Sequence, residues 1–135
     1  MAGIVIDASV VASWLLPDET NQSALDIYNR LSSEPAHVPA LWDYEIRNIL
    51  VVNERRGRIT TQAVDAALEW LIDLNILRYT LADWDAAVRL SRQFALTAYL
   101  ELSIRVDLPL ATFDKALAAA AARNDKLAHH TPLKP

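Results

Sequence analysis

Short runs of consecutive apolar residues alternate along this chain with longer stretches in which apolar residues recur every three or four positions. Gly3 to Ile6 is apolar and rich in β-branched residues, which predicts a buried strand ending at Asp7-Ala8-Ser9. A helix is expected through Val10 to Leu16, stopped by Pro17. Ala24, Ile27, Tyr28 and Leu31 then fall at i, i+3, i+4 and i+7, the spacing of an amphipathic helix. Pro35 to Val38 fits a second strand, and Trp42, Ile46, Ile49 and Leu50 give another helical stripe. Gly57 is placed to end that helix in the left-handed conformation. Thr60 or Thr61 suits the cap of the next helix, whose stripe is Val64, Ala67, Leu68 and Leu71. Ile76 to Leu81 reads as a third strand, followed by a helix capped by Asp83 and carrying Ala87, Val88 and Ser91. Thr97 to Arg105 is helical, Pro109 to Thr112 is a fourth strand, and Lys115 to Arg123 is an alanine-rich helix. An edge strand is expected near Pro132. Strands separated by helices predict an α/β fold of three layers, α/β/α, around a central parallel sheet of four to five strands. No repeat or domain boundary interrupts the pattern, so residues 1–135 read as a single domain.

Composition narrows the chemistry. With 53% hydrophobic and 22% charged residues the chain sorts with packed globular proteins rather than disordered ones. Cysteine is absent, which excludes disulfides, thiolate zinc sites and cysteine nucleophiles, and fits a cytoplasmic protein. The N-terminus lacks the pattern of a signal peptide, and the apolar run Ala116 to Ala122 is too short to cross a membrane. Net charge is −4, without the overall basic character of a typical nucleic-acid binder. An enzyme acting through a local patch and a metal remains compatible with that balance.

In a parallel sheet, ligands collect at the carboxyl ends of the strands, where the strand order reverses. Asp7 follows the first strand and Asp114 lies two residues after the fourth. Glu45 falls in the first turn of the helix after the second strand. Three carboxylates converging there, with no cysteine or histidine, suit a hard cation such as Mg²⁺ or Mn²⁺. Such an ion activates water and stabilises an in-line phosphodiester displacement. Each acid also has a plainer reading: Asp7 and Asp114 as turn formers or helix caps, Glu45 as a charge compensating a helix dipole.

Three segments carry a family likeness. Ile4-Val-Ile-Asp-Ala-Ser-Val-Val-Ala-Ser-Trp-Leu-Leu-Pro-Asp-Glu, Val38-Pro-Ala-Leu-Trp-Asp-Tyr-Glu-Ile-Arg-Asn-Ile-Leu and Tyr99-Leu-Glu-Leu-Ser-Ile-Arg-Val-Asp-Leu-Pro-Leu-Ala-Thr-Phe-Asp-Lys-Ala-Leu occur in this order. Together they resemble the PIN domain and, within it, the VapC-type toxins of bacterial toxin–antitoxin pairs. The resemblance implies a metal-dependent endoribonuclease, a homodimer, an RNA substrate and an antitoxin that inserts into the active-site groove. It implies Asp7, Glu45 and Asp114 as catalytic and metal-binding acids. Ser9 and Thr112 match small hydroxyl positions that support the carboxylates, and Asn48 shares the helix face of Glu45. One departure stands out. Family members carry another metal-site aspartate in a stretch after leucine-threonine, whereas Leu96-Thr97 here passes directly to Ala98-Tyr99, about four residues shorter. Four residues are close to one turn of 3.6, so the buried face of the helix survives while that ligand is lost. Glu101 is not its replacement and reads as a solvated helix charge.

Arg47 and Lys115, beside the proposed acids, are the better candidates for substrate contact, with Arg92 a further one; Arg55, Arg56 and Arg58 read more as a solubilising surface. His37, His129 and His130 read as structural or exposed. Trp14, Trp42, Trp70 and Trp84 lie on separate helices and read as core or interface anchors rather than base-stacking platforms. Two hypotheses follow: a ribonuclease toxin, or a catalytically inactive PIN domain that binds an antitoxin or RNA. A haloacid-dehalogenase phosphotransferase would place a second aspartate at Ser9, and a receiver domain would need acids upstream of Asp7. No glycine-rich phosphate loop is present.

Overall fold

The computed structural model describes residues 3–17, 21–80 and 94–128, with the side chains of residues 94–97 excepted. Four strands, β1 (Ile4–Ile6), β2 (Ala36–Pro39), β3 (Ile76–Tyr79) and β4 (Leu110–Ala111), form a sheet of order β3-β2-β1-β4. Every pairing is parallel, with Ile4 opposite Ala36, Val5 opposite both His37 and Leu110, and Ile6 opposite Ala111. An isolated parallel bridge between Leu110 and Leu127 extends the sheet beyond β4.

Among the described residues six helices cover it: α1 (Ala8–Leu15), α2 (Gln22–Arg30), α3 (Leu41–Arg55), α4 (Thr61–Ile72), α5 (Phe94–Val106) and α6 (Lys115–Arg123). α1 packs on α2 and α3, and α3 on α4; α5 packs on β1, β2, β4 and α6. Right-handed crossovers account for these two groups. Connections from β1 through β3 step one way along the sheet and put α1–α4 on one face. The return from β3 to β4 puts α5 on the other. The result is a three-layer α/β/α fold, as the alternation predicted. β1 is central and wholly buried, which explains its unbroken apolar run.

The helical stripes are buried as their spacing requires. Ala24, Ile27 and Leu31, then Trp42, Ile46 and Leu50, then Val64, Ala67 and Leu71 all lie in one core, while Tyr28 stays 37% exposed. Thr60, not Thr61, caps α4 by accepting the amide of Ala63 at 3.1 Å. Gly57 (φ +73°) closes α3 with paired backbone bonds, Gly57 N to Glu54 O and Arg58 N to Asn53 O, both at 3.0 Å.

Element ends differ from the expectations for local reasons. α1 starts at Ala8, two residues early, because Asp7 caps it. β2 runs Ala36–Pro39 rather than Pro35–Val38, and β3 ends at Tyr79, whose carbonyl accepts the amide of Ala40 at 2.8 Å. β4 shrinks to two residues because Pro109 has no amide to donate and Thr112 turns its hydroxyl toward Asp7. α5 begins at Phe94 and runs continuously through Thr97–Tyr99. The helix expected after Asp83, the strand near Pro132, and Trp84, Arg92, His129 and His130 lie outside the described residues.

Candidate active site

Among the described residues α1, α3 and α6 follow strands directly and begin at the carboxyl edge of the sheet, so their first turns border one crevice. Strand order reverses between β1 and β4, which puts Asp7 and Thr112 on either side of the switch point. Asp7 is only 5% exposed. Its Oδ1 accepts the amide of Ser9 at 3.1 Å and the Ser9 hydroxyl at 2.6 Å; its Oδ2 accepts the Thr112 hydroxyl at 2.5 Å. Asp7 is therefore both helix cap and buried carboxylate. Burial pushes its pKa up to about 6, although the Ser9 and Thr112 hydroxyls and the Val10 amide pull it down. The neighbouring charge of Glu45 adds to the upward push.

Glu45 stands on α3. Since that helix begins at Leu41, Glu45 lies at the start of its second turn, while Asp43 occupies the first. The difference from the expected first-turn position is one residue of helix start. Half-buried, Glu45 is likewise held above the usual carboxylate range by desolvation, opposed by a hydrogen bond from the Tyr99 hydroxyl to Oε1 at 2.5 Å. Tyr99 itself is 2% exposed, and burial beside two carboxylates drives its phenol far up, so it remains protonated and donates. Tyr99 was not among the sequence candidates. The signal was available: Tyr99, Leu102 and Ser103 form a buried stripe at i, i+3, i+4, and a buried phenol needs a polar partner.

Ser9 and Thr112 both donate to Asp7. The Ser9 hydroxyl donates to Asp7 and accepts the amide of Phe113 at 2.9 Å, rather than capping a helix itself. Thr112, fully buried, donates to Asp7 and accepts the amide of Asp114 at 3.0 Å. Asn48 is exposed one turn along α3 from Glu45.

Asp114 departs from the expectation. Its side chain is exposed and its Oδ1 accepts the amide of Leu117 at 2.8 Å, capping α6. It joins Asp7 only through Thr112. Among the described residues no three Asp, Glu, His or Cys side chains form a group that could hold a metal ion. The three-carboxylate cluster is thus reduced to a pair, Asp7 and Glu45, because the third acid is used as a helix cap. No acid lies in the first turn of α5, and Glu101, half-buried, pairs through Oε1 with Arg105 at 3.0 Å while its Oε2 is buried without a hydrogen-bond partner. The pair still presents hard oxygen donors. A buried Asp7 whose ionisation is made costlier by the nearby Glu45 is suited to a divalent cation that would offset both charges.

Arg47 is exposed and tied to the carbonyl and carboxylate of Asp43, which also binds Arg78 at 2.5 Å. Arg78 lies over the Trp42 ring. Lys115 is exposed at the start of α6. Arg55, Arg56 and Arg58 sit at the far end of α3, roughly 15 Å along the axis from Glu45 at 1.5 Å per residue. Trp14 donates to the Ala24 carbonyl and meets Trp70 edge-on, and Trp70 stacks on Tyr28, all within the α1–α4 layer. His37 bonds the Tyr79 hydroxyl at 2.7 Å inside the sheet.

The PIN domain family matches residues 4–125. This chain belongs to the PIN domain family. Ribonuclease VapC3 of Mycobacterium tuberculosis is 34% identical over 122 residues, covering 87% of this chain and 86% of that protein. Two solved PIN-like structures share the fold. PAE2754 from Pyrobaculum aerophilum superposes with a TM-score of 0.66 at 20% identity over 87% of this chain and 84% of that one. VapC20 of Mycobacterium tuberculosis, described as a sarcin-ricin loop cleaving toxin, gives 0.56 at 16% identity over 87% and 94%. Among the described residues, no helix of this PIN domain is long and apolar enough to cross a membrane.

Proposed function

We propose that this PIN domain is an endoribonuclease of the VapC toxin type, acting on RNA and held in check by an antitoxin protein. The observation that carries the reading is the pairing of buried Asp7 with half-buried Glu45 at the sheet's switch point, in a chain 34% identical to a ribonuclease. Asp7 and Glu45 would hold Mg²⁺ or Mn²⁺, which when bound supplies a Lewis acid and a water of lowered pKa for phosphodiester cleavage. Ser9 and Thr112 fix the Asp7 carboxylate through three hydrogen bonds, so it meets a cation already oriented. Asp114, capping α6 two residues beyond Thr112, contributes negative charge at the rim and anchors the loop that carries Thr112. Asn48 offers a neutral amide beside Glu45. Arg47, exposed on the helix of Glu45, and Lys115, next to Asp114, would meet substrate phosphates, positioning RNA without reading its sequence. A homodimer in the cytoplasm completes the proposed setting.

The test is RNA cleavage by the full chain in Mg²⁺ or Mn²⁺ beside Asp7→Ala and Glu45→Gln. Loss of at least a hundredfold in both variants supports the reading; cleavage no faster than Asp7→Ala in the wild type overturns it. A second reading is a PIN domain that binds antitoxin or RNA without turnover. It is favoured by the capping role of Asp114, which leaves two carboxylates where three were expected. Retained RNA or antitoxin binding with no metal-dependent cleavage would establish it.

A further inference from the structure

α3 and α5 lie on opposite faces of the sheet, yet their side chains meet over its carboxyl edge. Tyr99 from α5 reaches Glu45 on α3 with a hydroxyl-to-carboxylate hydrogen bond of 2.5 Å. The tyrosine is almost entirely buried, and its ring packs in the main core, so the phenol has little freedom to point elsewhere. A glutamate side chain has three rotatable bonds, and Glu45 is only half-buried. Without a fixed donor its carboxylate would sample several positions around the start of α3. Asp7, by contrast, is fixed from both sides by Ser9 and Thr112. Two ligands of one cation must both be preorganised, and donors behind a ligand commonly account for a ten- to hundredfold share of metal affinity.

We propose that Tyr99 is the positioning residue for Glu45, holding its carboxylate against Asp7 so that the pair binds a divalent cation; this rests on the metal-site reading above. The hydroxyl donates to one oxygen and leaves the other for the cation. It touches neither substrate nor reacting atoms. The consequence is specific: the ring should matter to folding, and the hydroxyl to metal binding.

Mn²⁺ binding to the metal-free full chain, followed by electron paramagnetic resonance or calorimetry, tests this directly. Tyr99→Phe keeps the ring and is expected to weaken Mn²⁺ binding about tenfold or more. In cleavage assays at fixed low Mn²⁺ it should lower kcat while the KM for RNA stays within twofold. Affinity for Mn²⁺ within twofold of wild type overturns the proposal while leaving the Asp7–Glu45 site intact. A wild-type chain that binds no Mn²⁺ overturns the metal reading and this inference with it. If Tyr99→Phe does not fold, the wild type carries the test through ultraviolet resonance Raman difference spectra. Glu45→Gln must remove the signature of a phenol donating to a carboxylate; an unchanged signature overturns the proposal.

Discussion

Thr112 donates its hydroxyl to Asp7 across 105 residues of sequence, and the same oxygen accepts the amide of Asp114. One buried hydroxyl thus fixes a carboxylate and shapes the loop that leads into α6. Thr112→Val keeps the volume and removes both bonds. Leaving a buried carboxylate oxygen and an amide short of partners is expected to destabilise the fold by about 2–3 kcal/mol. Urea denaturation at neutral pH measures it, and a midpoint equal to that of wild type would contradict the role.

Asp7 makes stability depend on pH in an unusual direction for an acid. Its carboxyl titrates near 6 when folded, against an ordinary value of 3.8, so the folded state holds a proton that the unfolded chain has released. Stability therefore falls as pH rises from about 4 to 6 and stays lowered above that. Glu45, also raised, acts in the same sense. In metal-free buffer at pH 7.5, Asp7→Asn should be more stable than wild type by up to about 3 kcal/mol. Below pH 4 the advantage should vanish. Adding Mn²⁺ should raise the Tm of wild type only. Thermal melts across this range check all three statements.

Asp114 separates into a cap and a charge. Asp114→Ala loses the bond to Leu117 and is expected to cost about 1 kcal/mol, whereas Asp114→Ser keeps a capping oxygen and most of the stability. Cleavage by the serine variant then shows what the charge contributes. Activity close to wild type would confine Asp114 to holding α6 and Thr112 in place.

Arg47 and Lys115 should act on RNA through its phosphates. Replacing either by alanine is expected to weaken binding for all sequences alike and to reduce the slope of log affinity against log salt by about 1. Arg55→Ala, at the other end of α3, serves as the control and should leave the slope unchanged.

Much of this was legible in the residues themselves. The run Ile4-Val5-Ile6 and the stripes on α2, α3 and α4 settle the layers because burial imposes period on the sequence. Asp7 was identifiable because a strand end at a switch point is where such sheets gather ligands, while Ser9 and Thr112 came only from the likeness to the PIN family. Asp114 was harder. A strand-end aspartate reads the same whether its oxygens face a cation or a helix amide, and only the geometry shows the bond to Leu117. Tyr99 was legible as a buried phenol in need of a polar partner, but nothing local names that partner as a carboxylate from the other face of the sheet.

The parallel sheet has a last consequence in time rather than space. β4 is added to the sheet beside β1 only after more than a hundred residues have been made, and with it comes the hydroxyl that completes the Asp7 shell. A growing chain that has not reached Thr112 carries Asp7 with the Ser9 donors alone, its second oxygen not yet held. The fully held form of Asp7 therefore cannot precede β4, and whatever chemistry the pair performs waits for that strand.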